Sequence, residues 1–133
     1  LGQVVWSPIA QGALTGKYKP GKAAPAGSRA TDDKGGANMI SRWLDDAVLT
    51  RIGELEPIAA DAGLSMAHLA IAWVLQNPNV SAAIIGASRP EQVTENVKAA
   101  GVSLDAEVLK RIDEALGDSV ERDPALTQSP RRD

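Results

Sequence analysis

The sequence predicts an α/β fold with parallel strands, and three observations carry that expectation. Two short apolar runs stand far apart in the chain, Val4-Val5-Trp6 and Val80-Ser81-Ala82-Ala83-Ile84-Ile85. Between and after them, apolar residues recur every three or four positions, as on one face of a helix. Strands that alternate with helices form right-handed crossover units and lie parallel in one sheet.

Composition narrows the class. The chain has 133 residues, enough for one small domain. It is 44% hydrophobic and 23% charged, the balance of a soluble globular protein. With three Trp, one Tyr and no Phe, a core must be built from Ala, Val, Leu and Ile. No apolar run is long enough for a transmembrane helix, so no membrane partner is expected. The absence of cysteine excludes disulfides and thiolate metal sites, and a single His cannot make a metal site by itself. Fourteen basic and 17 acidic residues give a net charge of −3, which argues against a nucleic-acid partner. The chain opens on Leu1-Gly2-Gln3, neither an initiating Met nor a signal peptide, and is expected to be a segment of a longer protein. The cytosol is the default location.

Val4-Val5-Trp6, ended by Ser7-Pro8, reads as a buried strand. From Gln11 to Gly36 six glycines and two prolines break any period, so a long loop is expected, of the kind that covers a ligand. Val48, Ile52, Leu55, Ala59 and Ala62 then mark a helix from about Asp46 to Ala62, which Pro57 should kink or split near Gly53. Gly63 ends it as the residue after the C-cap. Ser65 caps a second helix whose apolar face is Met66, Leu69, Ala70, Trp73 and Val74, with Trp73 in the core and His68 on the surface. Asn77-Pro78-Asn79 stops it.

Val80 to Ile85 reads as a strand buried on both faces, as in a parallel sheet. Ser88-Arg89-Pro90-Glu91 predicts a capping box with Pro in the first turn of a helix carrying Val93, Val97 and Ala100. A last helix is expected from about Asp105 to Leu116, ended by Gly117. The folded segment is thus residues 1–117, with 118–133 a polar, mobile tail containing Pro124 and Pro130. Two strands do not make a stable sheet, and a closed eight-stranded barrel takes about 250 residues. The chain therefore fits the last two strand-helix units of a (β/α)8 barrel plus a C-terminal helix. Strand edges left unpaired would favour self-association or pairing with the missing part of the barrel.

In parallel α/β folds, ligands bind at the carboxyl ends of the strands. The first such end is Trp6-Ser7-Pro8-Ile9-Ala10-Gln11-Gly12, where a rigid Pro and a permissive Gly let backbone amides approach a phosphate, with Lys17 in reach. The second is Gly86-Ala87-Ser88, followed at once by a helix N-terminus, which attracts anions. Gln92, Glu95 and Asn96 share one face of that helix and can read an adenine edge. Ser88, Gln92 and a nearby Arg suit a ribose 2′-phosphate. Each segment also fits a plainer reading. Ser7-Pro8 serves as an ordinary strand-ending turn, Gly86 to Glu91 as a good cap, and Lys17 and Arg29 as solvated loop charges.

Taken in order, the segments are more specific. Trp6 to Tyr18, reading WSPIAQGALTGKY, resembles the loop after strand seven of aldo-keto reductases, and Gly27-Ser28-Arg29 resembles the end of that loop. Ser65 to Leu75, reading SMAHLAIAWVL, is similar to the family's helix before strand eight, and Ile84 to Asn96, reading IIGASRPEQVTEN, to its closing cofactor signature. The branch it most resembles includes bacterial reductases and the beta subunits of voltage-gated potassium channels. The resemblance implies a (β/α)8 barrel that uses NADPH to reduce aldehydes and ketones.

It also implies roles. Trp6, Ser7, Pro8, Ile9, Ala10, Gln11 and Gly12 would follow the pyrophosphate and its ribose, and Lys17 and Arg29 would hold phosphate. Gly86, Ser88 and Gln92 would take the 2′-phosphate end, with Arg89 a further candidate, and Glu95 and Asn96 would contact adenine. Gly27 stands where the channel subunits carry a bulkier side chain, and the stretch from Lys22 to Ala26 is longer than theirs. The family's catalytic Asp, Tyr, Lys and His belong to earlier strands. Tyr18 and His68 fall at other positions, so no catalytic residue is expected in this chain and it should be inactive alone. A regulatory subunit that binds the cofactor is the alternative. A distant third reading takes Ile58 to Leu75 as a helix-turn-helix DNA reader, which would need basic residues facing the groove.

Overall fold

A computed structural model describes residues 2–123. Two strands, β1 (Gln3–Trp6) and β2 (Val80–Ile84), are joined by four helices: α1 (Gly36–Ile40), α2 (Asp46–Gly53), α3 (Leu55–Asp61) and α4 (Met66–Leu75). Two more helices follow β2, α5 (Pro90–Val97) and α6 (Ala106–Leu116). The strands are parallel, with Gln3 opposite Val80 and Val4, Val5 and Trp6 opposite Ala82, Ala83 and Ile84. A register shift lies between Gln3 and Val4. Parallel pairing puts both carboxyl ends on one edge of the molecule, which is what positions the site described below.

The helices begin where short polar side chains can satisfy free N–H groups. Asp45 accepts from the amides of Ala47 (2.9 Å) and Val48 (3.4 Å), Ser65 from His68 (3.1 Å), and Asp105 from Val108 (2.8 Å). The break expected within residues 46–62 falls at Glu54, which ends α2 and opens α3. Pro57 then sits in the first turn of α3, where its missing N–H costs no helical hydrogen bond. Gly63 takes a φ of +69°, the left-handed geometry that ends the helix before it.

Helices α3, α4 and α6 bury Leu55, Ile58, Ala59, Leu69, Ala72, Ile112 and Ala115 together with Leu104. A second cluster joins Ala13 and Tyr18 to Ile40 of α1 and to Leu49 and Ile52 of α2. Leu14 and Met66 touch both, so the loop after β1 is welded to the helical layer. Among the described residues no single helix is long and apolar enough to cross a membrane. Helix α4 lends its Leu69, Ile71 and Ala72 to the interior and holds no Lys or Arg, so the helix-turn-helix reading finds no cation there to face a groove.

Several expectations need correction. The strands are not buried: Val4 is 63% exposed, Trp6 67% and Ile84 59%, because among the described residues the sheet has two strands and no further strand flanks it. Trp73 is exposed as well, since α4 turns Leu69, Ile71 and Ala72 inward instead. The segment from Gln11 to Gly36 is not wholly irregular. It carries 3-10 turns at Ala10–Thr15 and Arg29–Thr31 and leads directly into α1, whose start is fixed by Asp32 accepting the Gly36 amide at 3.1 Å. Arg89, not Ser88, stands at the N-cap position of helix α5, because Pro90 takes the first helical position, and its donor-only side chain caps no amide. The reciprocal partner is Gln92 rather than Glu91. Its Oε1 accepts from Ser88 N (2.7 Å), Ser88 Oγ (3.1 Å) and Arg89 N (3.3 Å). Of the predicted tail, residues 124–133 lie outside the described residues.

Candidate functional site

The turn after β1 is built from backbone that ordinary residues avoid. Ser7, Ala10 and Gln11 have φ of 55°, 48° and 59°, and Gly12 follows at 104°. Left-handed geometry costs an L-residue about 1–2 kcal/mol, and such strain gathers where backbone groups must face a ligand. The turn is closed by the Ala10 amide donating to Ser7 O (2.9 Å) and that of Gly12 to Ile9 O (2.9 Å).

One side chain ties this turn to the loop beyond it. Gln11 Nε2 donates to Ser7 Oγ, and Gln11 Oε1 accepts from Arg29 Nη1 at 2.5 Å. Arg29 is thereby held across the turn although it is 18 residues further along. Lys17 comes back to the same place. Its Nζ lies 3.7 Å from where a Cβ on Gly12 would stand, and 5.2 Å from the centroid of the Tyr18 ring. Ser28 is buried beside Arg29, and its Oγ has no hydrogen-bond partner among the described residues. A buried hydroxyl of this kind calls for a partner.

The second strand ends on Ile84-Ile85-Gly86-Ala87-Ser88. Nothing stands within 4 Å of a Cβ placed on Gly86, so the backbone there faces open space. The Gln92 carboxamide gathers the Ser88 hydroxyl and the Ser88 and Arg89 amides at the start of α5. No carboxylate pairs with the Arg89 guanidinium among the described residues.

The two strand ends form the wall of one open cleft of roughly 1390 Å³. It brings together Trp6, Ser7, Pro8, Ile9, Gln11 and Gly12 from the first turn, Lys17 and Arg29 from the loop, and Gly86, Ser88 and Gln92 from the second turn. Arg89 joins them. Three residues singled out in the sequence are not on that wall. Ala10 packs against the second hydrophobic cluster, and Asn96 is half-buried along α5. The Glu95 carboxylate is taken by Lys98 Nζ at 2.5 Å, and the Glu95 carbonyl faces His68 Nε2 at 2.7 Å. The hydrogen bond from Lys98 holds the Glu95 carboxyl below its ordinary value of 4.5.

The cleft also has walls that residue types did not announce. Ser28, Lys34 and Met39 line it. Ser28 had a signal in its place between Gly27 and Arg29. Lys34 and Met39 reach the cleft only through the fold of α1 against the Arg29–Thr31 turn. Four cations (Lys17, Arg29, Lys34 and Arg89) against Asp32 and Asp33 give the wall a positive surplus. Asp32 is in addition occupied by the amides of Lys34 and Gly36, each at 3.1 Å. An anionic ligand with an aromatic or planar part, laid along Trp6 and the two turns, matches these groups.

The chain matches the Aldo/keto reductase family over residues 1–116. It is 44% identical over 133 residues to a "Probable voltage-gated potassium channel subunit beta" of Oryza sativa subsp. japonica, covering 98% of this chain and 39% of that protein. A protein of the same printed name from Arabidopsis thaliana is 47% identical over 102 residues, covering 77% and 30%. A "Putative voltage-gated potassium channel subunit beta" of Schizosaccharomyces pombe is 43% identical over 118 residues, covering 86% and 34%. The chain thus spans between 30% and 39% of the length of these relatives. With a family match over nearly its whole length and cationic turns meeting at one rim, the chain belongs to the aldo/keto reductase family.

Proposed function

We propose that the protein to which this chain belongs is an NADPH-dependent oxidoreductase of aldehydes or ketones, and that this segment holds the adenosine-phosphate half of the cofactor. The observation that carries the reading is the meeting of the Gly12 and Gly86 turns in one cation-lined cleft. The residues present suit the group. Arg29 and Lys17 would pair with phosphate oxygens, the strained turn would offer the amides of Ile9 and Gln11, which its own closing bonds leave aside, and the unpartnered Ser28 hydroxyl would gain a hydrogen bond. Ser88, Arg89 and Gln92 would receive the phosphorylated ribose at the start of α5. Bound NADPH would supply a hydride to a carbonyl carbon. The strands would be two of eight in a (β/α)8 barrel, a reading supported by their parallel pairing and by two open edges. The proton donor and its neighbours would then come from other strands, and the carbonyl substrate would bind outside this segment.

Titration of the protein with NADPH, followed by nucleotide fluorescence, tests this. Saturable binding is expected, weakened about tenfold or more in Arg29→Ala, since a hydrogen bond to a charged group contributes about 1.5–3 kcal/mol. Binding that does not saturate would overturn the reading.

The printed names of the relatives favour a second reading, a regulatory subunit in which cofactor occupancy matters more than turnover. Both readings require the same cleft. NADPH oxidation by the protein in the presence of simple aldehydes separates them, because turnover at enzymatic rates would argue for the reductase.

A further inference from the structure

Helix α5 carries Gln92 and begins at the cleft, yet almost nothing holds it in place. None of its residues is buried, and Val93 and Val97 point into solvent. Its first turn is organised by its own neighbours, Ser88 and Arg89. Among the described residues one side chain from elsewhere in the chain hydrogen-bonds to it, the imidazole of His68, whose Nε2 lies 2.7 Å from the Glu95 carbonyl oxygen.

The chemistry of that contact is specific. The Glu95 carbonyl belongs to the last turn of α5, where carbonyls lack the partner a continuing helix would give. It accepts from the Lys98 amide at 3.1 Å and has a second lone pair free. A carbonyl only accepts, so the Nε2 that faces it carries the proton. His68 is 15% exposed along its side chain, held between α4 and α5. Its own helix is fixed by Leu69 and Ala72 in the core, so the imidazole stands on a rigid post. The Glu95 carboxylate lies 3.9 Å from the same nitrogen and is shared with Lys98.

We propose that His68 is a positioning residue for the nucleotide site. By donating Nε2–H to the C-terminal turn of α5, it fixes the helix whose other end presents Gln92, Ser88 and Arg89 to the cleft. It touches no ligand itself, and its effect on the nucleotide rests on the cofactor reading given above.

Two variants and two readouts test it. His68→Leu keeps bulk and removes the donor, whereas His68→Gln places an amide N–H at about the reach of Nε2. Without nucleotide, His68→Leu is expected to speed hydrogen exchange at the end of α5 and in the turn after it, at Glu95 to Ala100, while α6 amides keep their protection. Its NADPH dissociation constant should rise about tenfold, the scale of one lost hydrogen bond. His68→Gln should restore both to within about threefold of the wild type. Unchanged exchange in α5, or acceleration spread equally over α6, would overturn the proposal. So would a loss of NADPH affinity that His68→Gln does not recover, since simple loss of packing would not depend on a donor. If the wild-type protein fails to bind NADPH, the cofactor reading and the nucleotide role fall together, and exchange in α5 alone decides whether His68 anchors the helix.

Discussion

Gly12 is the position where a single methyl group tests the site's geometry. A Cβ there would meet Lys17 Cε and Nζ at 3.7 Å, an ordinary contact, so steric conflict is not the obstacle. The obstacle is its φ of 104°, which L-residues rarely adopt. Gly12→Ala is expected to lower stability by about 1–2 kcal/mol, read as a shift in the urea midpoint with unchanged slope. A neutral result would mean that the turn relaxes to ordinary geometry without cost. The glycine itself was legible in the sequence as the permissive point of the first turn. The left-handed Ser7, Ala10 and Gln11 were not, because nothing in those residue types favours positive φ. What holds them is the surrounding bonding, Gln11 to Ser7 and to Arg29, and a partner 18 positions away leaves no mark in the local pattern.

Between elements, one link that the sequence concealed joins the end of α4 to the start of α6. Gln76 ends α4, and its carboxamide makes two hydrogen bonds to one residue, donating to Leu104 O at 2.7 Å and accepting from Leu104 N at 2.6 Å. Leu104 is buried and precedes α6, so this clamp sets where α6 lies on α4 and α3. Gln76→Ala leaves a buried N–H and a buried C=O without partners and should cost about 1–3 kcal/mol. Gln76→Glu should cost at least as much at neutral pH, because a carboxylate accepts from Leu104 N but confronts the Leu104 carbonyl. Thermal melts of the two variants decide it, and a Tm within a degree of wild type would show the clamp to be replaceable by water. By contrast, the cap Ser65, the break before Pro57 and the ends of α4 and α6 were readable, each depending on residues three or four apart. Helix α1 was not readable, since five residues are too few to show a period.

At the scale of the whole molecule, the strand positions followed from the apolar runs, but their burial did not. An apolar strand reports that something covers it, and the covering need not lie in the same stretch of chain. Among the described residues β1 and β2 pair only with each other, leaving two edges open and the side chains of Val4, Trp6 and Ile84 exposed. Unpaired edges of this kind template further pairing, and an exposed apolar strand adds the hydrophobic gain of covering it, about 25 cal/mol per Å². The 133-residue chain on its own is therefore expected to self-associate as its concentration rises, with sedimentation giving a mass above one chain and Trp6 emission shifting to the blue. Val4→Lys places a charge on the open edge and should push the equilibrium back toward single chains, while leaving the helical layer and its melting intact. A chain that stays monomeric at every concentration, with Trp6 emission that does not move, would mean that the edge is protected by some arrangement other than pairing, and would remove the open edges as a support for placing these strands inside a larger barrel, leaving only their parallel pairing.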